Sequence, residues 1–184
     1  MRVVAGIYKG RRLSAPAGRN TRPTADRVRE AVFNLLGPLA GERVLDLYAG
    51  SGALGIEALS RGASSATFVD SAPHAVKTIR DNLERLGTDE AQVTRTDAVA
   101  FLRSAARRGQ RWDLVFCDPP YRLAHRLGRD LATYLPRVLG EHGRIVCESS
   151  SRQPLRLDLP LLTERRYGDT AIVVHGAPAA PADG

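Results

Sequence analysis

The sequence predicts an α/β fold built on a mostly parallel sheet, and two observations support this. From Val44 onward, short apolar runs alternate with segments of helical periodicity, which is typical of strand–helix units in a parallel sheet. The chain closes with two apolar runs on either side of Gly168-Asp169, a turn-forming pair that indicates a hairpin and therefore an antiparallel strand. The seven predicted strands are 43–47, 65–70, 91–95, 112–117, 143–149, 162–167 and 170–175.

The clearest helix is predicted between the second and third strands. Its apolar residues recur at spacings of three and four, which places them on one face of a helix: Val76, Ile79, Leu83 and Leu86. Ser71 is expected to cap the start of this helix and Gly87 its end. An earlier helix is expected from about Asp26 to Leu36, ahead of the first parallel strand.

The first twenty residues are predicted to form a small β-hairpin arm. Two extended runs flank Tyr8-Lys9-Gly10 within residues 3–16. Residues 21–176 then form the main domain, in which the helices cover both faces of the sheet. Residues 177–184 are poor in large apolar side chains and are expected to be a disordered tail.

The net charge is concentrated at the start of the chain. Residues 1–36 hold eight basic and two acidic residues, so they contribute +6 of the formal net charge of +7. A basic arm on a nearly neutral body suggests a polyanionic partner that binds at one end. The alternative is a solvated basic surface without a partner.

Composition also narrows the class of protein. No stretch approaches 18 consecutive apolar residues and no secretory signal is visible, so a cytoplasmic protein is expected. Cys117 and Cys147 each fall within an apolar run and are expected to be buried thiols in a reducing compartment. The four histidines lack the paired spacing of a zinc motif, and no metal is expected.

A glycine-rich turn follows the first predicted strand and indicates a nucleotide site. Gly50 and Gly52 allow the backbone to approach a ligand closely. With Gly55 they spell GxGxxG, and Asp70 follows twenty residues after Gly50. Asp46, four residues before the first glycine, disfavours the pyrophosphate of a dinucleotide, whereas it suits a sulfonium ligand that carries an ammonium group.

This arrangement resembles the first motif of the class I methyltransferases, an acid and three residues followed by Gly-x-Gly, here Asp46, Gly50 and Gly52. The resemblance implies a Rossmann-like fold and S-adenosylmethionine as cofactor, with the turn under its methionine part. It further implies that Asp70 holds the ribose hydroxyls and that Asp97 contacts the adenine amino group. Asp97 is also well placed to cap the following helix.

The fourth predicted strand ends in Asp118-Pro119-Pro120-Tyr121. The prolines stiffen the backbone and remove two N–H donors, which leaves carbonyl acceptors free. Two acceptors, the Asp118 carboxylate and the Pro119 carbonyl, could therefore hold both hydrogens of an amino group and aim its lone pair at a methyl carbon. Asp118 could then take the released proton. Tyr121 could stack on a flipped base. In isolation this tetrapeptide is a turn; after the fourth strand it resembles the motif of amino methyltransferases that act on nucleic acid bases.

The N-terminal segments 4–13 and 22–36 resemble the opening of the RsmD family, and the resemblance extends over nearly the whole chain. It implies methylation of N2 of one guanine in bacterial small-subunit (16S) ribosomal RNA, by a monomer acting on an assembled or assembling subunit. The residues expected to dock the RNA are Lys9, Arg11, Arg12, Arg22 and Arg27. Because the glycine turn lies in a separate part of the chain, replacing Lys9, Arg11 and Arg12 is expected to leave cofactor binding unchanged.

Three alternative functions fit parts of the sequence. A DNA adenine-N6 methyltransferase shares the tetrapeptide, but such enzymes generally add a recognition domain for which 184 residues leave no room. An NAD-linked oxidoreductase would need an acid or base for hydride transfer near the carboxyl edge of the sheet, and none is evident. A non-catalytic RNA-binding module would need neither the glycine-turn motif nor the motif Asp118-Pro119-Pro120-Tyr121, yet both are intact.

Overall fold

The structure is a computed structural model that describes residues 1–15, 23–119 and 121–178, without the side chains of residues 23–25 and 121–127. The chain forms two compact units, Met1–Ala98 and Val99–Gly184. The predicted boundary between the arm and the main domain, at residues 20 and 21, lies outside the described residues, and so does most of the predicted tail.

The first unit contains three parallel strands in the order β3-β2-β1. The strands are β1 (Arg43–Leu47), β2 (Ser65–Asp70) and β3 (Ala91–Arg95), and the helices are α1 (Pro23–Leu36), α2 (Ala53–Ser60) and α3 (Pro73–Leu86). Helix α2 lies against β1 and β2, and α3 lies against β2 and β3. The two crossover helices thereby bring the carboxyl ends of the strands, and the loops that follow them, to one edge of this unit.

The ends of α3 follow from local chemistry, although one expectation about them was wrong. Its N-terminal cap is Ala72, not Ser71, and no side chain caps the helix. Pro73 opens the first turn, where its missing N–H costs nothing, and the carboxylate of Asp70 accepts the N–H of Ala72 at 2.9 Å. Gly87 ends the helix at φ 67°, as predicted.

The second unit contains four strands in the order β4-β5-β7-β6. The strands are β4 (Trp112–Cys117), β5 (Leu139–Ser150), β6 (Leu161–Tyr167) and β7 (Thr170–Gly176); the helices are α4 (Ala98–Arg107), α5 (Tyr121–Tyr134) and a 3-10 turn (Pro136–Val138). Strand β5 is parallel to β4, whereas β7 is antiparallel to both β5 and β6. Gly168, at φ 59°, turns the chain between β6 and β7.

The predicted fold class is confirmed: the described residues form seven strands, mostly parallel, and the last two make an antiparallel hairpin. The predicted start of β5 at residue 143 is wrong, because Leu139 already pairs with Trp112 ahead of an irregularity in the register. Strands β1, β4 and β7 are buried over almost their whole length, which accounts for their nearly continuous apolar sequence. No helix in the described part of the chain is long and apolar enough to cross a membrane.

Candidate functional site

The glycine turn between β1 and α2 has an unusual backbone. Gly50 and Gly52 adopt φ values of 59° and 77°, in the left-handed region that glycine tolerates best. Tyr48 also has a positive φ, 59°, a conformation that costs a residue with a side chain about 1 to 3 kcal/mol. Tyr48 is a feature that the sequence did not indicate, because no local pattern marks a strained tyrosine.

Asp70 connects the glycine turn to the end of β2. One of its carboxylate oxygens accepts the N–H of Gly50 at 2.9 Å, and the other accepts the N–H of Ala72 at 2.9 Å. A carboxylate oxygen can accept more than one hydrogen bond, so a ribose hydroxyl could still donate to Asp70. The acceptor set therefore fits the ribose of S-adenosylmethionine, which is the role predicted for Asp70.

Asp46 supports the turn from within the core. Its side chain is buried, and its Oδ2 accepts the N–H of Gly55 at 3.0 Å in the first turn of α2. Gly55 itself packs so tightly against β2 that a Cβ would lie 2.3 Å from Cε1 of Phe68. These contacts fix the start of α2 relative to the strands, and a direct contact between Asp46 and the cofactor stays a prediction.

Asp97 is exposed in the loop between β3 and α4. The backbone N–H of Thr96 in the same loop donates to the carbonyl of Asp70 at 3.1 Å, so the loops after β2 and β3 are joined. The first unit therefore holds all five residues predicted to bind the cofactor: Asp46, Gly50, Gly52, Asp70 and Asp97.

Asp118 and Pro119 follow β4 in the second unit, the carboxylate half-buried and the proline buried. Pro120 lies outside the described residues, and of Tyr121 the structure describes only the backbone, as the first residue of α5. The thiol of Cys117 has a pKa well above its ordinary value, because it is hydrogen-bonded to Cys147 and fully buried. Cys117 is therefore a neutral core residue, as expected, although it adjoins Asp118.

The arm turns back on itself through a single antiparallel bridge between Arg2 and Arg12. Lys9, Arg11 and Arg12 are all exposed at or beside this turn, as the docking hypothesis requires. A cavity of about 420 Å³ opens between the arm and α1, and its charged lining residues are Arg2, Lys9, Asp26, Arg27 and Glu30. Arg22 lies outside the described residues.

Helix α2 anchors the arm. The buried carboxylate of Glu57 accepts the N–H groups of Val4 and Ala5 at 2.8 and 2.9 Å, and it forms an ion pair with Arg61 at 2.9 Å. Gly6 packs so closely that a Cβ would lie 1.7 Å from the carbonyl oxygen of Ser60. In the sequence this anchor is marked only by an acid within an otherwise mostly apolar helix.

The base of the arm reaches the glycine turn. The buried amide of Asn82 donates to the carbonyls of Ser14 and Ser51, at 3.1 and 3.0 Å, and accepts the N–H of Ser14 at 2.8 Å. The Ser51 hydroxyl also donates to the sulfur of Met1 at 3.4 Å. A buried amide therefore joins the base of the arm to the glycine turn, a long-range contact that the sequence did not indicate.

Known proteins match nearly the whole chain. The family model described as "Conserved hypothetical protein 95" matches residues 1–176. The Bacillus subtilis protein "Putative rRNA methyltransferase YlbH" is 43% identical over 95% of this chain and 98% of its own length. "Ribosomal RNA small subunit methyltransferase D" of Escherichia coli K12 is 42% identical, over 66% of this chain and 61% of that protein.

Several solved structures share the fold of this chain. "Putative methyltransferase yhhF from Escherichia coli" superposes with a TM-score of 0.84 at 34% identity, over 98% of this chain and 99% of that one. A Streptococcus mutans methyltransferase solved with S-adenosylhomocysteine shares the fold, with a TM-score of 0.65 at 18% identity over 82% of this chain and 48% of that one. The family match over nearly the full length and the glycine turn lead to one conclusion: the chain belongs to the RsmD family of S-adenosylmethionine-dependent methyltransferases.

Proposed function

We propose that this protein transfers a methyl group from S-adenosylmethionine to the exocyclic N2 amino group of a guanine in small-subunit (16S) ribosomal RNA. The observation that carries the proposal is the pair of acceptors, Asp118 and Pro119, at the end of β4. The relative in Escherichia coli, named as a small-subunit ribosomal RNA methyltransferase, supports the RNA as substrate.

The cofactor supplies an electrophilic methyl group on a sulfonium. In this proposal Asp70 accepts hydrogen bonds from the ribose hydroxyls, and Asp97 accepts one from the adenine amino group. Gly50 and Gly52 let the backbone lie close to the methionine part, because their left-handed conformations require no side chain. Asp46 acts on this site through its hydrogen bond to Gly55, which holds the start of α2, and through its negative charge beside the ammonium group.

The acceptors address the main chemical difficulty of the reaction. The lone pair of an exocyclic amine is delocalised into the ring, so the amine is a poor nucleophile. Asp118 accepts one amino hydrogen and the Pro119 carbonyl accepts the other, which rehybridises the nitrogen and directs its lone pair at the methyl carbon. After transfer the alkylated ammonium is strongly acidic, and Asp118 takes the proton. Tyr121 stacks on the flipped guanine, a contact worth about 1 to 3 kcal/mol.

The arm docks the RNA through its backbone phosphates. Lys9, Arg11 and Arg12 are exposed, and Arg27 lies on α1 beside the same cavity. Arg22 is proposed as a further contact. Such contacts position an RNA without reading its sequence, and they release counterions on binding. The protein is proposed to work in this way as a monomer, on assembled or assembling small subunits.

One experiment tests the proposed reaction. The protein is incubated with labelled S-adenosylmethionine and small subunits purified from a strain that lacks the modification, and mass spectrometry locates the methyl group. Label at N2 of one guanine in 16S RNA is the expected result. Label in DNA at adenine N6, or no transfer to the subunit, would contradict the proposal.

A further inference from the structure

Glu148 lies on β5 directly after the last residue that pairs with β4. Strand β4 ends at Cys117, whose partner in the parallel register is Cys147. Asp118 follows the last residue of β4 and Glu148 follows Cys147 within β5, and the paired strands lie about 4.8 Å apart where they end. The carboxyl edge of parallel strands is also where ligands bind in open α/β sheets. The register thus places a second acid beside the proposed amino acceptor.

The carboxyl of Glu148 is half-buried, and among the described residues it forms no hydrogen bond or ion pair. Burial raises the pKa of Glu148 above its ordinary value. Withdrawing a carboxyl from water without a compensating contact costs free energy, and such a cost is typical of functional sites where a ligand supplies the partner.

Guanine and adenine differ beside the amino group. Guanine presents N1–H next to its N2 amino group, which gives adjacent hydrogen-bond donors along one edge. Adenine presents the lone pair of N1 next to its N6 amino group, so an acceptor adjoins the donors. Asp118 and Pro119 bind only an amino group, which both bases carry. A third acceptor beside them would distinguish the two bases.

We propose that Glu148 selects guanine by accepting the N1–H of the base whose N2 amino group Asp118 and Pro119 hold. This inference rests on the proposed function and adds a specificity-determining residue to it. An ionised carboxylate is an acceptor only, so it pairs with N1–H and repels the lone pair of adenine N1. Recognition of a flipped base through its pairing edge is the usual mode for enzymes that modify bases.

The test uses 2-aminopurine, which keeps the amino group at C2 but has a lone pair at N1 in place of N1–H. Small subunits are reconstituted with 16S RNA in which the methylated guanine is replaced by 2-aminopurine through splinted ligation. The unchanged protein is expected to show a kcat/KM about 10- to 100-fold lower on 2-aminopurine than on guanine. In Glu148→Gln the amide can donate to N1, so this preference should fall to within about three-fold.

Glu141→Gln is the matched control, since Glu141 is exposed at the other end of β5. This variant should keep the preference for guanine. Equal transfer to both bases by the unchanged protein, or an undiminished preference in Glu148→Gln, would overturn the role of Glu148 and leave the proposed function intact. No transfer to guanine by the unchanged protein would instead overturn the proposed function. If Glu148→Gln fails to fold, Glu148→Asp replaces it, because the shorter side chain withdraws the carboxylate from N1–H: a reduced preference for guanine supports the inference, and an unchanged rate and preference overturn it.

Discussion

The side-chain amide of Asn82 donates a hydrogen bond of 3.0 Å to the backbone carbonyl of Ser51. Ser51 lies between Gly50 and Gly52 in the glycine turn. The same amide holds the backbone of Ser14 through two further hydrogen bonds. One buried side chain on α3 therefore supports both the glycine turn and the base of the arm, although 68 residues separate Asn82 from Ser14.

Asn82→Asp should weaken the binding of S-adenosylhomocysteine by about ten-fold. The substitution keeps an acceptor for the N–H of Ser14 but places a carboxylate against the carbonyl of Ser51, and an unsatisfied buried group costs about 1 to 3 kcal/mol. Isothermal titration calorimetry measures the effect. Ser14→Ala is the control, since it keeps the backbone contacts and loses only the hydroxyl contact with Arg85. Unaltered affinity in Asn82→Asp would show that the amide does not shape the turn.

Asp70→Ala should lower the affinity for S-adenosylhomocysteine by at least about ten-fold, because the proposed ribose contact and the tie to Gly50 are lost together. Asp81→Ala removes a carboxylate whose described partner is Lys77 on the surface of α3, and should leave the affinity unchanged. Calorimetry with S-adenosylhomocysteine and with NAD decides the identity of the ligand. Tight NAD binding without S-adenosylhomocysteine binding would refute this site assignment.

Asp118→Ala should abolish methyl transfer while the affinity for S-adenosylhomocysteine stays within about three-fold, since the carboxylate is proposed to hold the amine of the base. Tyr121→Ala should raise KM for the subunit through lost stacking. Asp130→Ala, which removes an exposed acid on α5, is the control for both. Normal turnover by Asp118→Ala would exclude the proposed chemistry.

Replacing Lys9, Arg11 and Arg12 together by alanine should weaken binding to small subunits and reduce its salt dependence, because fewer counterions are released. Filter binding over a range of salt concentrations gives the slope. Cofactor affinity should not change, because the described contacts between the arm and the glycine turn involve Met1 and Ser14, not these three residues. A matched triple variant of Arg107, Arg108 and Arg111, which are exposed in the second unit, should keep the slope. If the two triple variants behave alike, the arm is only a solvated basic surface.

We expect the free energy of unfolding to decrease at acidic pH because of His175. Burial lowers the pKa of His175 below its ordinary value of 6.5, and its Nε2 accepts the N–H of Leu157 at 3.2 Å. A lowered pKa means that the unfolded chain binds the proton more tightly. The stabilisation is therefore complete above about pH 6.5 and is lost as the pH falls through the lower folded value. Chemical denaturation at several pH values should show this loss, and His175→Gln should reduce it; an equal loss in both would exclude His175 as its source.

Local sequence patterns predicted most of the strands but not the contacts that organise the site. The bounds of β1 to β4 match the structure, because alternation of apolar strands and amphipathic helices is a local signal. The sequence did not single out Glu57, Asn82 or Glu148, because the contacts of the first two are with residues distant in sequence and the position of Glu148 depends on strand register. The proposed docking residues were predicted from charge alone, whereas the attachment of the arm to α2 became visible only in the fold.

The position of Met1 affects how the protein should be produced for these measurements. Its sulfur accepts the hydroxyl of Ser51, and its carbonyl accepts the N–H of Leu13 at 3.0 Å. A purification tag fused ahead of Met1 would therefore emerge beside the glycine turn, where the proposed cofactor site lies, and would disturb the affinities that the assays compare. A carboxyl-terminal tag leaves these contacts as they are, and is the better choice for expression.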